Sequence, residues 1–262
     1  MVSFQRREAN LANFSMPTKT NLAVVIPVYN EEVDLPRNVP VLQRFLKNNF
    51  KNYNWKLIIA DNGPSKDRTR EVSKKLSQEF DNVVYTLIPT PGRGNALKEI
   101  WLKSKADILC YMDVDLSSDL KYLPRLVRVL EQGADLATGS RLARGAKVYG
   151  RTLTREVMSR GYNLLIKLFF WTSFHDAQCG FKGIRQEAAK KLLPFIEDKG
   201  WFFDSELLIL ADKAGYKVVE VPIVWRDDPR STVKVAKTAW GDIKGLTRLF
   251  LGRPWKNIKK RK

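Results

Sequence analysis

This sequence predicts an α/β fold, a mostly parallel, doubly wound sheet flanked by helices, and three observations carry that expectation. Short runs rich in aliphatic and β-branched residues recur five times before residue 141, the first four each followed by a stretch with helical spacing. Most of these runs are apolar nearly throughout rather than alternating, as strands buried on both faces are. Gly, Pro, Asn and Asp gather just after them, where such a sheet turns towards its helices and where its ligands bind.

Residues 1–20 are polar with scattered Phe and Leu and read as an N-terminal arm. LAVVIPV (22–28) is the first buried strand, and 40–49 a helix with Val41, Leu42, Phe45 and Leu46 on one stripe. KLIIAD (56–61), VVYTLI (83–88) and DILCYMD (107–113) are strands, separated by helices over 70–80 and 94–105. Ser118 and Asp119 offer an N-cap for a helix through Gln132, which Gly133 stops, and ADLATGS (134–140) is the fifth strand. Beyond it the pattern loosens. A long helix over 154–171 is apolar around much of its surface, and shorter helices cover 187–196 and 204–214. Residues 217–225 read as a strand and 236–251 as an amphipathic helix, before a basic end, GRPWKNIKKRK. With no repeat and no linker, 21–235 is expected to be one domain and 236–262 a basic amphipathic segment that contacts a membrane.

Composition narrows the function. Among 262 residues, 44% are hydrophobic and 28% charged, enough apolar content for a packed core rather than a disordered chain. Two cysteines, Cys110 and Cys179, make no disulfide framework and fit a reducing, cytoplasmic compartment. The net charge of +18 favours polyanionic partners: nucleic acid, an anionic lipid surface or phosphorylated substrates. No run reaches the roughly 18 apolar residues of a membrane span, and no apolar signal segment is visible, so a soluble or peripheral protein is expected rather than an integral one.

The chemistry-bearing residues follow strands. Asp113 and Asp115 stand two apart after an apolar strand, and hard carboxylate oxygens there suit Mg²⁺ or Mn²⁺ bridging phosphate. Asp61, before the turn Asn62-Gly63-Pro64, can accept hydrogen bonds from a nucleobase or ribose edge. Pro27, Tyr29 and Glu31 close the first strand, and Arg93 in TPGRGN brings positive charge to a glycine-bearing loop. Neither a P-loop nor a dinucleotide fingerprint is present in that loop.

PVYNE, ADN, GRGNA, DVDL, GSR, DAQCGFKG and WFFDSE occur in this order. The order resembles a family 2 glycosyltransferase of the GT-A fold, from the dolichyl-phosphate mannose and glucose synthase branch, over about 23–234. The resemblance implies a nucleotide sugar held by Pro27, Tyr29, Glu31, Asp61, Arg93, Asp113 and Lys234, with the metal on Asp113 and Asp115. It implies an acceptor phosphate on Arg141, Arg155 and Ser159, the last two sharing a helix face one turn apart. Asp204 is implied as a base or as a residue that positions the acceptor. Departures exist: Asn62 replaces a usual Asp, Ser117 a usual Gln, and Ser231-Thr232 a Ser-Lys element, which leaves Lys234 or Arg230 to meet the donor phosphates.

The implied activity is inverting transfer of a hexose from UDP-glucose or GDP-mannose to dolichyl or another polyprenyl phosphate, by a protein peripheral at the cytoplasmic membrane face. A phosphate acceptor is already anionic near neutral pH and needs no strong base, in keeping with a single histidine, His175, in the chain. A saccharide or protein acceptor is the alternative. A nucleic-acid-binding protein is a more distant one, since no such motif is present.

Overall fold

The computed structural model describes residues 19–227 and 235–259. Residues 1–18 of the expected arm, and Arg230, Ser231, Thr232 and Lys234, lie outside the described residues.

The elements in chain order are β1 (Asn21–Val28), α1 (Asp34–Asn49), β2 (Asn54–Asn62), α2 (Thr69–Glu79), β3 (Val83–Ile88), α3 (Arg93–Lys103) and β4 (Ile108–Met112). There follow α4 (Leu123–Glu131), β5 (Leu136–Ser140), β6 (Lys147–Tyr149), α5 (Leu153–Phe170), β7 (Phe181–Arg185) and α6 (Gln186–Leu192). α7 (Phe203–Lys213), β8 (Val218–Pro222), β9 (Val224–Arg226) and α8 (Val235–Gly252) complete the set. The main sheet has seven strands in the order β3-β2-β1-β4-β7-β5-β8, parallel except for β7, which is antiparallel to both β4 and β5. β6 and β9 form a separate two-stranded sheet.

The apolar strands are buried on both faces, and their side chains divide between two cores. From β1, Ala23 and Val25 face the core packed by α3 and α5 to α8, while Leu22, Val24, Ile26 and Val28 face the core packed by α1, α2 and α4. β4 repeats the division, with Leu109 and Tyr111 on the first side and Ile108, Cys110 and Met112 on the second.

Several expectations shift. α1 starts at Asp34 rather than Pro40, because Leu35, Val39, Leu42 and Leu46 make one buried stripe whose burial outweighs the proline inside the helix. The helix expected from Ser118 begins as a 3₁₀ turn, Leu120–Tyr122, which Asp119 caps by accepting from the Lys121 amide. The expected helix over 187–196 is α6 followed by a 3₁₀ turn at Leu193–Phe195, where Pro194 cannot supply a helical amide. The strand expected over 217–225 divides at Pro222: β8 joins the main sheet and β9 the small one. β7 and β6 had no periodic signal. β7 reads FKGIR, with Lys182 in its middle and Gly183 in close contact with Leu126 and Leu130 of α4.

Candidate active site

The carboxyl ends of β1, β2 and β4 lie side by side, with Pro27 opposite Ala60 and Val28 opposite Asp61. The loops that leave β1 and β2 are joined: the Asn30 amide donates to Ser65 Oγ at 3.1 Å, and the Glu31 amide to Thr69 Oγ1 at 2.6 Å. Tyr29 is exposed at this rim and Pro27 is buried beneath it. Asp61 is also fully buried, and its oxygens accept from Ser65 Oγ at 2.8 Å and Tyr85 Oη at 3.2 Å. It therefore forms the floor of the β1–β2 cleft rather than its open edge.

Asp113 follows β4, and its side chain is 40% exposed. Its amide donates to the Gly180 carbonyl at 3.3 Å, which ties the D-V-D turn to the start of β7. A Cβ on Gly180 would overlap the Asp113 carboxylate, so only glycine lets the two segments approach this closely. Asp115 Oδ1 accepts from the Ser117 amide at 2.9 Å. Glu31 is pushed up to about 7, first by burial and then by the like charges of Asp34, Asp115, Asp67 and Asp113. Among the described residues no three acids converge as a metal cage, but Asp113 and Asp115 offer hard oxygen donors of the kind a divalent cation takes. A site with two carboxylates also leaves coordination positions for phosphate oxygens and water.

Behind Asp113 lies a buried charge network. Arg93 donates from Nη2 to Asp113 Oδ1 at 2.9 Å and from Nη1 to Asp204 Oδ2 at 2.6 Å, with its guanidinium 4.9 Å from the Tyr111 ring and 5.0 Å from the Trp201 ring. Asp204 also takes the Tyr111 hydroxyl, and Lys182 Nζ stands 3.1 Å from its Oδ1. Burial alone would raise the Asp204 pKa, but Lys182 and Arg93 hold it below the ordinary carboxylate value. Asp204 does not cap α7. Asp198 serves that turn, accepting from the Phe203 amide at 3.1 Å. Arg93, expected to meet a donor phosphate directly, is 7% exposed and is held between two carboxylates.

A second cluster is positive. Arg141 donates from Nε and Nη2 to the two oxygens of buried Asp176, both at 2.8 Å, and this pair holds Asp176 down at about 2 against its burial. The Trp225 ring has Arg141 at 5.4 Å and Arg151 at 5.9 Å. Arg151 has its pKa lowered by burial and by the Arg141 charge, although its Nη1 reaches Glu156 Oε2 at 3.0 Å. Arg155 meets both oxygens of Asp227 through Nη1, at 2.8 and 2.9 Å. One turn along α5, Ser159 Oγ is buried without a hydrogen-bond partner among the described residues. Asp113 contributes to the field at Arg141, so the acidic and basic clusters are neighbours. His175 stands apart, exposed and 2.7 Å from Glu220.

Sequence reasoning assigned no role to Tyr111, Arg151, Asp176, Gly180, Lys182 or Trp225. Asp176, Gly180 and Lys182 lie within the motif DAQCGFKG, which was the available signal, but their partners are far away in the chain.

The sequence pattern of glycosyl transferase family 2 matches residues 23–193. The chain belongs to that family. It is 35% identical over 236 residues to glycosyltransferase AglD of Haloferax volcanii, a match covering 89% of this chain and 37% of that protein. It is 30% identical to dolichyl-phosphate beta-glucosyltransferase ALG5A of Trichomonas vaginalis, over 89% of this chain and 73% of the relative. For the dolichyl-phosphate beta-glucosyltransferase of Saccharomyces cerevisiae the identity is 28%, over 82% and 70%. Among solved structures, glucosyl-3-phosphoglycerate synthase from Mycobacterium tuberculosis, crystallised with Mn²⁺ and UDP-glucose, superposes with a TM-score of 0.66. That match has 17% identity and covers 89% of this chain and 79% of the other, a likeness of fold. The fold of this glycosyltransferase is accordingly GT-A-like, a mostly parallel sheet with one reversed strand.

Proposed function

We propose that this enzyme transfers a hexose, with inversion, from a nucleotide sugar to a polyprenyl phosphate of the dolichyl type. It does so as a peripheral protein at the cytoplasmic face of a membrane. The observation that carries the reading is the cluster beside the D-V-D turn: Arg141 and Arg151 against the ring of Trp225, Arg155, and the hydroxyl of Ser159, unpartnered among the described residues. Forked guanidinium donors and a hydroxyl suit a phosphate monoester, and each arginine is held in place by a carboxylate, Arg141 by Asp176, Arg151 by Glu156 and Arg155 by Asp227.

The residues can share the work as follows. Tyr29, Glu31 and the floor at Asp61 hold the nucleoside. Asp113 and Asp115 would hold Mg²⁺ or Mn²⁺, which when bound neutralises charge on the departing diphosphate. Arg93 fixes the angle of Asp113, and Asp204, locked by Lys182 and Tyr111, fixes Arg93. Asp204 is therefore a positioning residue. Its lowered pKa and two cationic partners make it a poor proton acceptor, and an acceptor phosphate needs none. The acceptor oxygen attacks the anomeric carbon while the bond to the diphosphate breaks, and the electron pair leaves with the diphosphate. Names of the Trichomonas and Saccharomyces relatives support glucose and a dolichyl-type acceptor. GDP-mannose is the donor to exclude by experiment.

The membrane part of the reading rests on α5 and α8. The outward face of α5 carries Leu153, Val157, Leu164 and Leu168, interrupted by Arg160, with Trp171 just beyond, and α8 exposes Trp240, Ile243 and Leu251. Leu153 and Trp171 are 80% and 84% exposed, an apolar stripe where an ordinary helix is polar. No helix among the described residues is long and apolar enough to cross a membrane.

The test is transfer of radiolabel from UDP-glucose or GDP-mannose, in separate tubes with a divalent cation, to polyprenyl phosphate. One donor should deliver label to the organic phase, and Asp115→Ala and Arg155→Ala should each lower that rate at least about a hundredfold. Donor binding without any lipid-linked product from either nucleotide sugar would overturn the reading.

A further inference from the structure

At the far end of α5 from Arg155 a cavity of about 240 Å³ opens between α5, α7, α8 and the 3₁₀ turn Pro254–Asn257. Fourteen residues at ~1.5 Å each put Phe169 about 21 Å along the helix from Arg155. The walls are aromatic: Phe250 meets Phe169 edge to face at 5.5 Å and Phe170 at 6.2 Å, and Trp255 meets Phe170 at 6.0 Å. Around these rings stand Lys213, Arg253 and Lys256. None of the three has a carboxylate partner among the described residues. Arg253 has its guanidinium 5.9 Å from the Phe250 ring, and the acid next to Lys213, Asp212, accepts from Ser173 instead. Lys213 also lies in the last turn of α7, where the helix dipole already suits a cation, so its charge has a reason to stay.

We infer that this cavity is a second lipid site, one that takes the headgroup of an anionic phospholipid and is separate from the acceptor-phosphate cluster. Charge complementarity and continuity with the apolar face commit it to that occupant. A free inorganic anion would answer the cations and leave the aromatic walls wet, and an uncharged apolar ligand would do the reverse. An anionic amphiphile satisfies both, with its phosphodiester among Lys213, Arg253 and Lys256 and its glycerol and upper chain along Phe169, Phe250 and Trp255. The chain neighbours of the rings extend the path outward: Leu168, Trp171 and Leu251 are all exposed. A phospholipid held here fixes the roll of α5 on the bilayer, and with it the position of Arg155 near the other end of the helix. The inference rests on the reading that this face meets a membrane, and on no particular sugar or acceptor.

The experiment titrates the full chain with dihexanoylphosphatidylglycerol below its micelle concentration by calorimetry. Dihexanoylphosphatidylcholine and inorganic phosphate serve as comparison probes. One saturable site is expected for the anionic lipid, with both comparison probes at least about tenfold weaker. Lys213→Gln/Lys256→Gln should weaken binding about thirtyfold, each lysine contributing on the order of fivefold at an anionic lipid. Arg155→Gln should leave the binding within about twofold, which separates the site from the acceptor cluster. Both lysines lie at the surface, and an unchanged circular dichroism spectrum and melting temperature will show that the double variant folds. Equal binding of the zwitterionic lipid, equal binding of inorganic phosphate, or an undiminished affinity in the double variant each overturns the inference. Sugar transfer in detergent micelles should be unchanged in the double variant. Lipid binding without any sugar transfer would sink the proposed function and leave this site standing, and transfer without saturable lipid binding would do the opposite.

Discussion

Asp113 shows how little of a site belongs to one residue. Its carboxylate is aimed by Arg93 on one side and given room by Gly180 on the other, and Arg93 is aimed in turn by Asp204. Gly180→Ala should therefore act on chemistry before stability, since the added methyl displaces a half-exposed carboxylate rather than opening the core. A displacement of about 1 Å is enough to lower kcat about a hundredfold. The check is kcat with a saturating nucleotide sugar beside the melting temperature, and a normal rate in Gly180→Ala would show that Asp113 has freedom to move. Asp61 teaches the opposite lesson. Placed after a strand it reads as a rim residue, yet Ser65 and Tyr85 occupy its oxygens in a buried floor.

At the scale of elements, α8 has two unlike faces. Its inner face presses Gly245 onto the Phe202 ring, reaches Glu206 and Glu197 through Arg248, and brings Asp242 to within 2.7 Å of Gln178 Nε2. Asp242 Oδ1 is buried with no hydrogen-bond partner among the described residues, and burial, aided by the charge of Asp198, pushes this carboxyl up to about 7. The unfolded chain loses the same proton near 4. Between those values the folded state holds more protons, so stability falls as pH rises from about 4 and levels off above about 7. Asp242→Asn keeps an acceptor for Gln178 and removes that slope. Its melting temperature relative to the parent chain should be near parity at pH 4 and should rise to a plateau by about pH 8. A constant difference across that range would mean that Asp242 is already ionised when α8 is docked.

For the whole molecule, the polar chemistry is gathered at one end of the sheet, and α5 and α8 carry most of the exposed large apolar residues. A net charge of +18 adds a long-range attraction to anionic bilayers, and the apolar stripe adds a short-range one. The two separate experimentally. Raising salt from about 0.05 to 0.5 M shortens the screening length several-fold and should weaken sedimentation with phosphatidylglycerol-containing vesicles without abolishing it. Leu164→Glu/Leu168→Glu should lower vesicle binding at least about tenfold even at low salt, because it places two charges where apolar surface would enter the interface. Both positions face outward, so stability should change little. If the double variant binds vesicles as the parent does, α5 is not the contacting face.

What this sequence determined by itself is whatever rests on local pattern. The apolar runs of β1 to β5 and the helices between them were legible because each run signals its own burial, and the family was legible because DVDL, QCGFKG and FFDSE keep order along the chain. Strand and helix ends came within a few residues, and the largest error, at α1, arose because an internal proline looks like a start from nearby residues alone. Only the tertiary structure decided that β7 enters the sheet reversed between β4 and β5, since an antiparallel strand with a lysine at its centre carries no apolar run. It alone decided that the lysine, Lys182, turns to Asp204, that Arg93 is a buried clamp rather than an exposed phosphate ligand, and that Arg151 joins Arg141 around Trp225. Those partners stand 22, 111 and 84 residues apart for Lys182–Asp204, Arg93–Asp204 and Arg141–Trp225. A charge declares its need for a partner in the sequence, but which partner it finds is set by how the layers pack.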